Sequence, residues 1–321
     1  MYLNQFAPGA EPIDMTDSDE FRSLLESAAD LGLIESVDAH PRYVSRNVVV
    51  NGLRVHVLEW GDATAPPVLL LHGGNQSAHS WDLVSLALAH HYHVIAIDQR
   101  AHGDTEWPRD GEASRHSMAL DARGVLEQLG VERPVVVGHS MGGIVAMTLL
   151  TAHPDLARQA VFVDIAPELP GSGGPNAGQQ QIRDFISSAR EFDSIDAYVD
   201  RVAEYDPFRS RAHIGRTLIY NLMQRSDGKY VSKNGLRRTT EAARPGDELG
   251  TRPTLEDIRT IECPALVIRG AESRVLAADD ATTFAEALPA GHLAVVPECG
   301  HNVHSQNTRG FLDALLPFLG E

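Results

Sequence analysis

Six short, almost purely apolar runs, separated by longer stretches of mixed polarity, constrain the fold of this 321-residue chain most strongly. Runs of this length that are apolar on both faces are typical of buried strands in a parallel sheet. Parallel neighbours need long crossover connections, which are usually helices. The sequence therefore predicts an α/β fold with helices on both faces of a mostly parallel sheet. The runs span residues 68–71, 94–97, 134–137, 160–163, 265–268 and 293–296.

The chain before these runs has a different pattern. Residues 16–32 carry apolar side chains at helical spacing, with Thr16 or Asp17 as the expected N-cap and Gly32 as the stop. Further on, Asn51-Gly52 separates two strand-like runs, and this pair favours a type I′ hairpin. We expect residues 1–45 to form an N-terminal helical extension and the main fold to open with antiparallel strands.

A gap of about a hundred residues lies between the fourth and fifth apolar runs. A structureless connection of that length is implausible inside a compact domain, so the segment needs structure of its own. Helical patterns occur around residues 180–192, 195–205 and 208–223. We predict that residues 167–261 form a helical cap over the carboxyl ends of the strands, where ligands bind in open α/β sheets. Residues 46–166 and 262–321 would form the core.

Composition limits the classes of partner. The formal charge of −17 opposes binding to nucleic acid, which relies on clustered cationic side chains. The chain has only two cysteines, Cys263 and Cys299, whereas a disulfide-stapled secreted scaffold would normally carry more. No apolar run reaches the length of a membrane span. The first twenty residues lack the basic and apolar regions of a secretory signal. We expect a soluble cytoplasmic protein without a nucleic-acid or membrane partner, and a homodimer remains open.

The pentapeptide Gly138-His139-Ser140-Met141-Gly142 follows the third apolar run directly. It matches the G-x-S-x-G nucleophile elbow, in which a sharp strand-to-helix turn presents a serine above the sheet. The glycines leave room for closely packed backbones, and the apolar stretch 143–150 is suited to the buried helix that must follow. Ser140 is therefore the predicted nucleophile.

Four motifs in a fixed order carry a resemblance to a known family. From about residue 46 to residue 319 the chain resembles a capped, esterase-like α/β-hydrolase. The resemblance implies the α/β-hydrolase fold, with a mostly parallel eight-stranded sheet, and a nucleophile, an acid and a histidine in that chain order. The motifs are Leu71-His72-Gly73-Gly74, Asp98-Gln99-Arg100-Ala101-His102-Gly103, the elbow at Ser140, and Gly300-His301.

The resemblance places the base on the loop after the last strand. His301 is the predicted base, because a histidine titrates near neutral pH and Gly300 allows the turn, while His304 is its competitor. The oxyanion would be held by the backbone N–H groups of Met141 and Gly74. Asn75 would add a polar contact to the substrate or would satisfy its own turn.

The acid departs from the family pattern. The turn Gly270-Ala271-Glu272-Ser273-Arg274 carries serine and arginine where the family usually has an aspartate. Asp164, at the end of the neighbouring strand, is the favoured acid, and Glu272 is the rival. An incomplete triad is the third alternative.

The predicted function is that of a serine hydrolase acting on a small-molecule acyl substrate: a carboxylic ester, lactone, amide or thioester. A C–C bond hydrolase or a perhydrolase could use the same residues. A ligand receptor that retains the fold without turnover is the alternative from another class, because the usual acid is missing. We expect no metal and no cofactor.

Overall fold

The structure is a computed structural model that describes residues 11–34, 41–169, 176–188, 191–234 and 252–320. Its centre is a nine-stranded sheet in the order β1-β2-β3-β5-β4-β6-β7-β11-β12. The six predicted apolar runs form the parallel part of this sheet, β5-β4-β6-β7-β11-β12. The α/β-hydrolase fold predicted from the sequence is confirmed. The strands are β1 (Ile13–Asp14), β2 (Tyr43–Val50), β3 (Leu53–Trp60), β4 (Pro67–Leu71), β5 (His93–Ile97), β6 (Val135–His139), β7 (Gln159–Val163), β8 (Glu191–Phe192), β9 (Leu222–Gln224), β10 (Tyr230–Ser232), β11 (Ala265–Gly270) and β12 (Gly291–Val296).

Helices cover both faces of the sheet and bury its apolar side chains in two clusters. Helices α3, α4 and α8 pack on one face, and α1, α2, α9 and α10 pack on the other. This two-sided burial explains why the parallel strands are apolar on both faces. The helices are α1 (Asp19–Asp30), α2 (Asp82–Leu88), α3 (Arg115–Leu129), α4 (Met141–Ala152), α5 (Ala177–Ser188), α6 (Ile195–Ala203), α7 (Arg211–Leu218), α8 (Ala278–Ala287), α9 (Val303–Gln306) and α10 (Thr308–Leu319).

The N-terminal segment contributes a helix and an additional strand. The predicted helix is present as α1, but its N-cap is Ser18, whose hydroxyl accepts the Phe21 N–H, so the assignment of Thr16 or Asp17 was wrong. Strand β1 pairs antiparallel with β2 and makes a ninth strand where eight were expected. A two-residue strand is too short to show alternation in a sequence. Residues 1–10 and 35–40 of the predicted extension lie outside the described residues.

The antiparallel opening of the sheet follows the predicted hairpin. Strands β2 and β3 pair in register from Val50 and Leu53 outwards. Asn51 and Gly52 both have positive φ, 52° and 72°, as a type I′ turn requires. The hairpin prediction is confirmed.

The described part of the predicted cap is more mixed than the sequence indicated. Helices α5, α6 and α7 lie close to the predicted stretches, but β8, β10 and β9 form a separate antiparallel sheet that was not predicted. Residues 170–175, 189–190 and 235–251 of the cap lie outside the described residues. Among the helices that the structure describes, none has the length and apolar character to cross a membrane.

Candidate active site

The elbow lies between β6 and α4. Ser140 has φ 50° and ψ −114°, and the helix begins at the next residue, Met141. A Cβ added to Gly138 would lie 2.4 Å from the Gly142 carbonyl oxygen, and one added to Gly142 would lie 2.2 Å from the Leu71 oxygen. Only glycine therefore fits either position, as the motif predicts. The serine sits at the positive end of a twelve-residue helix.

Asp164 lies beside Ser140 because their strands are neighbours. The Ser140 N–H donates to the Val163 carbonyl at 3.0 Å, and the Asp164 N–H donates to the Ile268 carbonyl at 2.7 Å. Asp164 has a positive φ of 51° and is fully buried. Its Oδ1 accepts the Gly270 N–H at 3.1 Å.

His301 joins the two side chains. Its Nε2 lies 3.0 Å from Ser140 Oγ, and its Nδ1 lies 2.8 Å from Asp164 Oδ2. Because a carboxylate only accepts, Nδ1 carries the proton and Nε2 is left to accept the serine hydroxyl. The structure thus brings Ser140, His301 and Asp164 into one hydrogen-bonded chain.

The rival acid lies elsewhere. Glu272 is exposed, and its backbone N–H donates to the Cys299 carbonyl at 2.9 Å. The next residue of that turn, Ser273, donates its hydroxyl to Asp164 Oδ2 at 2.5 Å. The turn in which the sequence analysis expected an acid therefore reaches His301 only through the carboxylate of Asp164.

His304, the competing base, is packed below the site. Its ring stacks on Trp81 at 4.0 Å between centroids, and burial holds the pKa of His304 well below its usual range. Cys299 is also buried, and burial raises the pKa of its thiol to about 12. His301 differs from both residues, because one of its ring nitrogens contacts a carboxylate and the other contacts a hydroxyl.

Gly74 and Met141, the residues predicted to supply the oxyanion donors, lie next to each other. A Cβ added to Gly74 would lie 4.0 Å from the Cβ of Met141, so the loop after β4 passes over the start of α4. The first N–H groups of a helix have no acceptor within the helix. The Met141 N–H, at the first position of α4, is therefore available to a ligand beside Ser140.

Asn75 makes contacts that the sequence did not predict. Its φ is 61°, and its Oδ1 accepts the hydroxyl of Ser232, on β10, at 2.9 Å. It is also hydrogen-bonded to Tyr198 on α6, where burial raises the tyrosine pKa to about 12. Asn75 thus connects the loop after β4 to β10 and α6.

Sequence reasoning missed two side chains that join the loops of the site. Gln76 Oε1 accepts the Gly73 N–H at 2.9 Å, and its Nε2 donates to Asn302 Oδ1 at 3.1 Å. His139, the second residue of the elbow, donates from Nε2 to the His301 carbonyl at 2.9 Å. The elbow motif indicated His139 only by position, and no sequence signal pointed to Gln76.

A cluster of possible metal ligands occurs within the described residues, at His56, Asp98 and Asp104. His56 Nδ1 already contacts Asp98 Oδ2 at 2.8 Å, and the Lys233 amino group donates to Asp104 Oδ1 at 2.6 Å. These internal contacts use the atoms that a cation would need.

Fold and site together define a class of protein. A sequence model of the alpha/beta hydrolase family matches residues 68–314, and the chain belongs to that family. It is a serine hydrolase by class, with the elbow and the helix that follows it in the positions that this fold provides.

Several known proteins are similar over most of their length. Esterase Rv0045c of Mycobacterium tuberculosis is 29% identical over 302 residues, covering 94% of this chain and 95% of that protein. A solved structure of that esterase has a TM-score of 0.73 at 26% identity, covering 95% of this chain and all of that one. The mouse sn-1-specific diacylglycerol lipase ABHD11 is 30% identical over 267 residues, covering 81% and 82%. The 2-(acetamidomethylene)succinate hydrolase of Mesorhizobium japonicum is 26% identical, covering 92% and 99%.

Proposed function

We propose that this protein hydrolyses small carboxylic esters through an acyl-serine intermediate, with Ser140 as nucleophile, His301 as base and Asp164 as acid. The observation that carries the proposal is the hydrogen-bonded chain from Ser140 Oγ to His301 and on to Asp164. The side chains of His301 and Asp164 are 14% and 0% exposed, so the pair is largely shielded from water.

In the first half of the reaction Ser140 Oγ attacks the ester carbonyl carbon while His301 Nε2 takes the hydroxyl proton. Asp164 accepts the Nδ1–H, which keeps the correct tautomer and stabilises the imidazolium that forms. The N–H groups of Met141 and Gly74 hold the oxyanion of the tetrahedral intermediate. Collapse then breaks the ester C–O bond as His301 returns its proton to the leaving alkoxide.

In the second half a water molecule replaces the alcohol. His301 removes a proton from that water, which attacks the acyl carbon of the Ser140 ester, and the same two N–H groups stabilise the second oxyanion. Collapse releases the carboxylic acid and returns the proton to Ser140 Oγ. The proton transfers pass between Ser140 and His301, which already lie in contact, and Asp164 already contacts His301, so the three side chains need not move.

The choice of an ester is supported by the names of the relatives, which include an esterase and a diacylglycerol lipase. The receptor alternative rested on the absence of the usual acid. Asp164 makes the contact to His301 Nδ1 that this acid would make, which favours an enzyme with turnover.

The test is the time course of p-nitrophenyl acetate hydrolysis at high enzyme concentration. We expect continuing turnover, with a burst of about one equivalent of p-nitrophenol if deacylation is slower than acylation. Ser140→Ala is expected to abolish both the burst and the turnover. A single burst without turnover would support a receptor, and hydrolysis that persists in Ser140→Ala would overturn the proposal.

A further inference from the structure

Ser273 occupies the turn after β11, where most relatives would be expected to carry the acid. Its Oγ lies 2.5 Å from Asp164 Oδ2, 3.1 Å from the Val275 nitrogen and 3.2 Å from the Leu276 nitrogen. A hydroxyl has one proton and two lone pairs. Because two backbone N–H groups donate to the Ser273 oxygen, its own proton is directed at the carboxylate.

The oxygen that receives this proton is the one that contacts the base. Asp164 Oδ2 accepts both the Ser273 hydroxyl and His301 Nδ1–H, while Oδ1 accepts the Gly270 N–H. Hydrogen bonds to an ionised acceptor are short and strong, as the 2.5 Å distance indicates. With both oxygens bonded, the carboxylate cannot rotate about its last torsion without breaking at least two contacts.

The turn itself does not depend on the hydroxyl alone. Arg269 donates to the carbonyls of Leu276, Ala271 and Ser273, at 2.8, 3.2 and 3.3 Å. The Ser273 N–H also donates to the Gly270 carbonyl at 3.0 Å. Loss of the hydroxyl therefore leaves four contacts that hold the turn.

We propose that Ser273 is a positioning residue, which fixes the Asp164 carboxylate against His301 through its hydroxyl. The inference rests on the proposed function, because it assumes that Asp164 orients the base. It assigns a role to the turn whose aspartate is missing: the turn supplies a hydrogen-bond donor to a carboxylate on the neighbouring strand.

The first arm of the test removes the hydroxyl. Ser273→Ala is expected to lower kcat roughly 10-fold with KM unchanged, because a hydrogen bond to a charged group is lost while the substrate contacts remain. Ser273→Thr keeps the hydroxyl and is expected to restore kcat to within about 3-fold of the wild type. The matched control is Ser305→Ala: that hydroxyl donates to the Asn302 carbonyl at 3.2 Å and is expected to leave kcat within about 2-fold.

The second arm repeats Ser273→Ala in an Asp164→Asn background. If the serine acts through the carboxylate, its removal costs no further activity there, since interacting residues are not additive. An equal loss in both backgrounds, or full activity of Ser273→Ala, would overturn the positioning role alone. Full activity of Asp164→Asn would overturn the proposed function as well, so the two failures are distinguishable.

Discussion

Two regions of this protein hold a serine, a histidine and an aspartate in the same hydrogen-bonded order. In one, His301 contacts Ser140 Oγ at 3.0 Å and Asp164 Oδ2 at 2.8 Å. In the other, His56 Nε2 lies 2.9 Å from Ser45 Oγ and its Nδ1 lies 2.8 Å from Asp98 Oδ2. Side-chain distances therefore do not distinguish the two sets.

The backbone conformation around each serine distinguishes the two sets. Ser45 lies within β2 and pairs with Leu58 on one side and Ile13 on the other, so its backbone belongs to the antiparallel ladder. Ser140 has a positive φ and begins a helix. A nucleophile needs oxyanion donors beside it as well as a base, and a helix N-terminus provides such donors. The elbow, rather than the hydrogen-bonded chain alone, separates the proposed active site from a structural network.

The largest expected effect contrasts the two serines. Ser140→Ala is expected to lower kcat by roughly 10⁶, the scale of removing a nucleophile that acts with its base, whereas Ser45→Ala leaves kcat within about 3-fold. Initial rates of ester hydrolysis measure both. A comparable loss in Ser45→Ala would break the comparison.

The second largest effect is expected at the acid. Asp164→Asn holds the wrong tautomer of His301 and is expected to cost about 10⁴ in kcat. Glu272→Gln, on the exposed turn, is the control and is expected to have little effect. If Glu272→Gln abolishes turnover while Asp164→Asn retains it, the acid has been assigned to the wrong residue.

The turn after β11 allows the carboxylate to be relocated. Since Ser273 Oγ already lies 2.5 Å from the oxygen that contacts His301, an aspartate at position 273 would extend a carboxylate oxygen towards the same place. The double variant Asp164→Asn/Ser273→Asp is expected to exceed Asp164→Asn about 10-fold or more in kcat. Asp164→Asn/Ser273→Ala is the matched control, and equal activity of the two would show that position 273 does not reach the base.

Asp98 is expected to matter for stability and not for rate. Burial would raise its pKa, but the hydrogen bond and charge of His56 outweigh burial and hold the pKa of Asp98 well below its usual 3.8. Breaking such a buried pair with Asp98→Asn is expected to cost about 3–5 kcal/mol in the free energy of unfolding at pH 7 while leaving kcat of the folded enzyme unchanged.

The same pair predicts a pH dependence. A carboxylate whose pKa is lowered by folding stabilises the protein above its unfolded pKa, and this stabilisation is lost as the pH falls through the lower native value. Urea unfolding should therefore show a difference between wild type and Asp98→Asn that narrows as the pH falls below 3.8. A difference that widens on acidification would contradict this sign.

The smallest effect concerns the contacts of Asn75 with α6 and β10. Asn75→Gly removes the amide without strain at φ 61°, and with it the hydrogen bonds to Ser232 and Tyr198, so kcat/KM is expected to fall about 5-fold. Ser232→Ala removes only one of these two hydrogen bonds and is expected to have a smaller effect, about 2-fold. A far larger loss in Asn75→Gly than two neutral hydrogen bonds explain would indicate that Asn75 contacts the substrate directly.

The fold was predictable where its signals are local. Apolar runs predicted the six parallel strands, and Asn51-Gly52 predicted the hairpin, because each pattern resides in a few consecutive residues. Strands β1, β9 and β10 are two or three residues long, too short to establish a period. Strand β1 pairs with the distant β2, whereas β9 and β10 pair with each other across a short turn.

The residues of the site likewise differ in whether a local sequence pattern predicts them. Ser140 and His301 follow from motifs in consecutive residues, whereas Asp164 emerged only because the turn after β11 lacks an aspartate. The hydroxyl of Ser273 and the contact of Asn75 with Ser232 join residues 109 and 157 positions apart. Such contacts depend on how distant elements are arranged in space, which no local pattern specifies.

We propose that the elbow makes Ser140, and not Ser45, the nucleophile. The most direct measurement is peptide mass spectrometry after reaction with a fluorophosphonate, with wild type, Ser140→Ala and Ser45→Ala in parallel. One adduct is expected in wild type and Ser45→Ala, on the peptide that contains Ser140, and none is expected in Ser140→Ala. An adduct on Ser45, or labelling that survives Ser140→Ala, would contradict it.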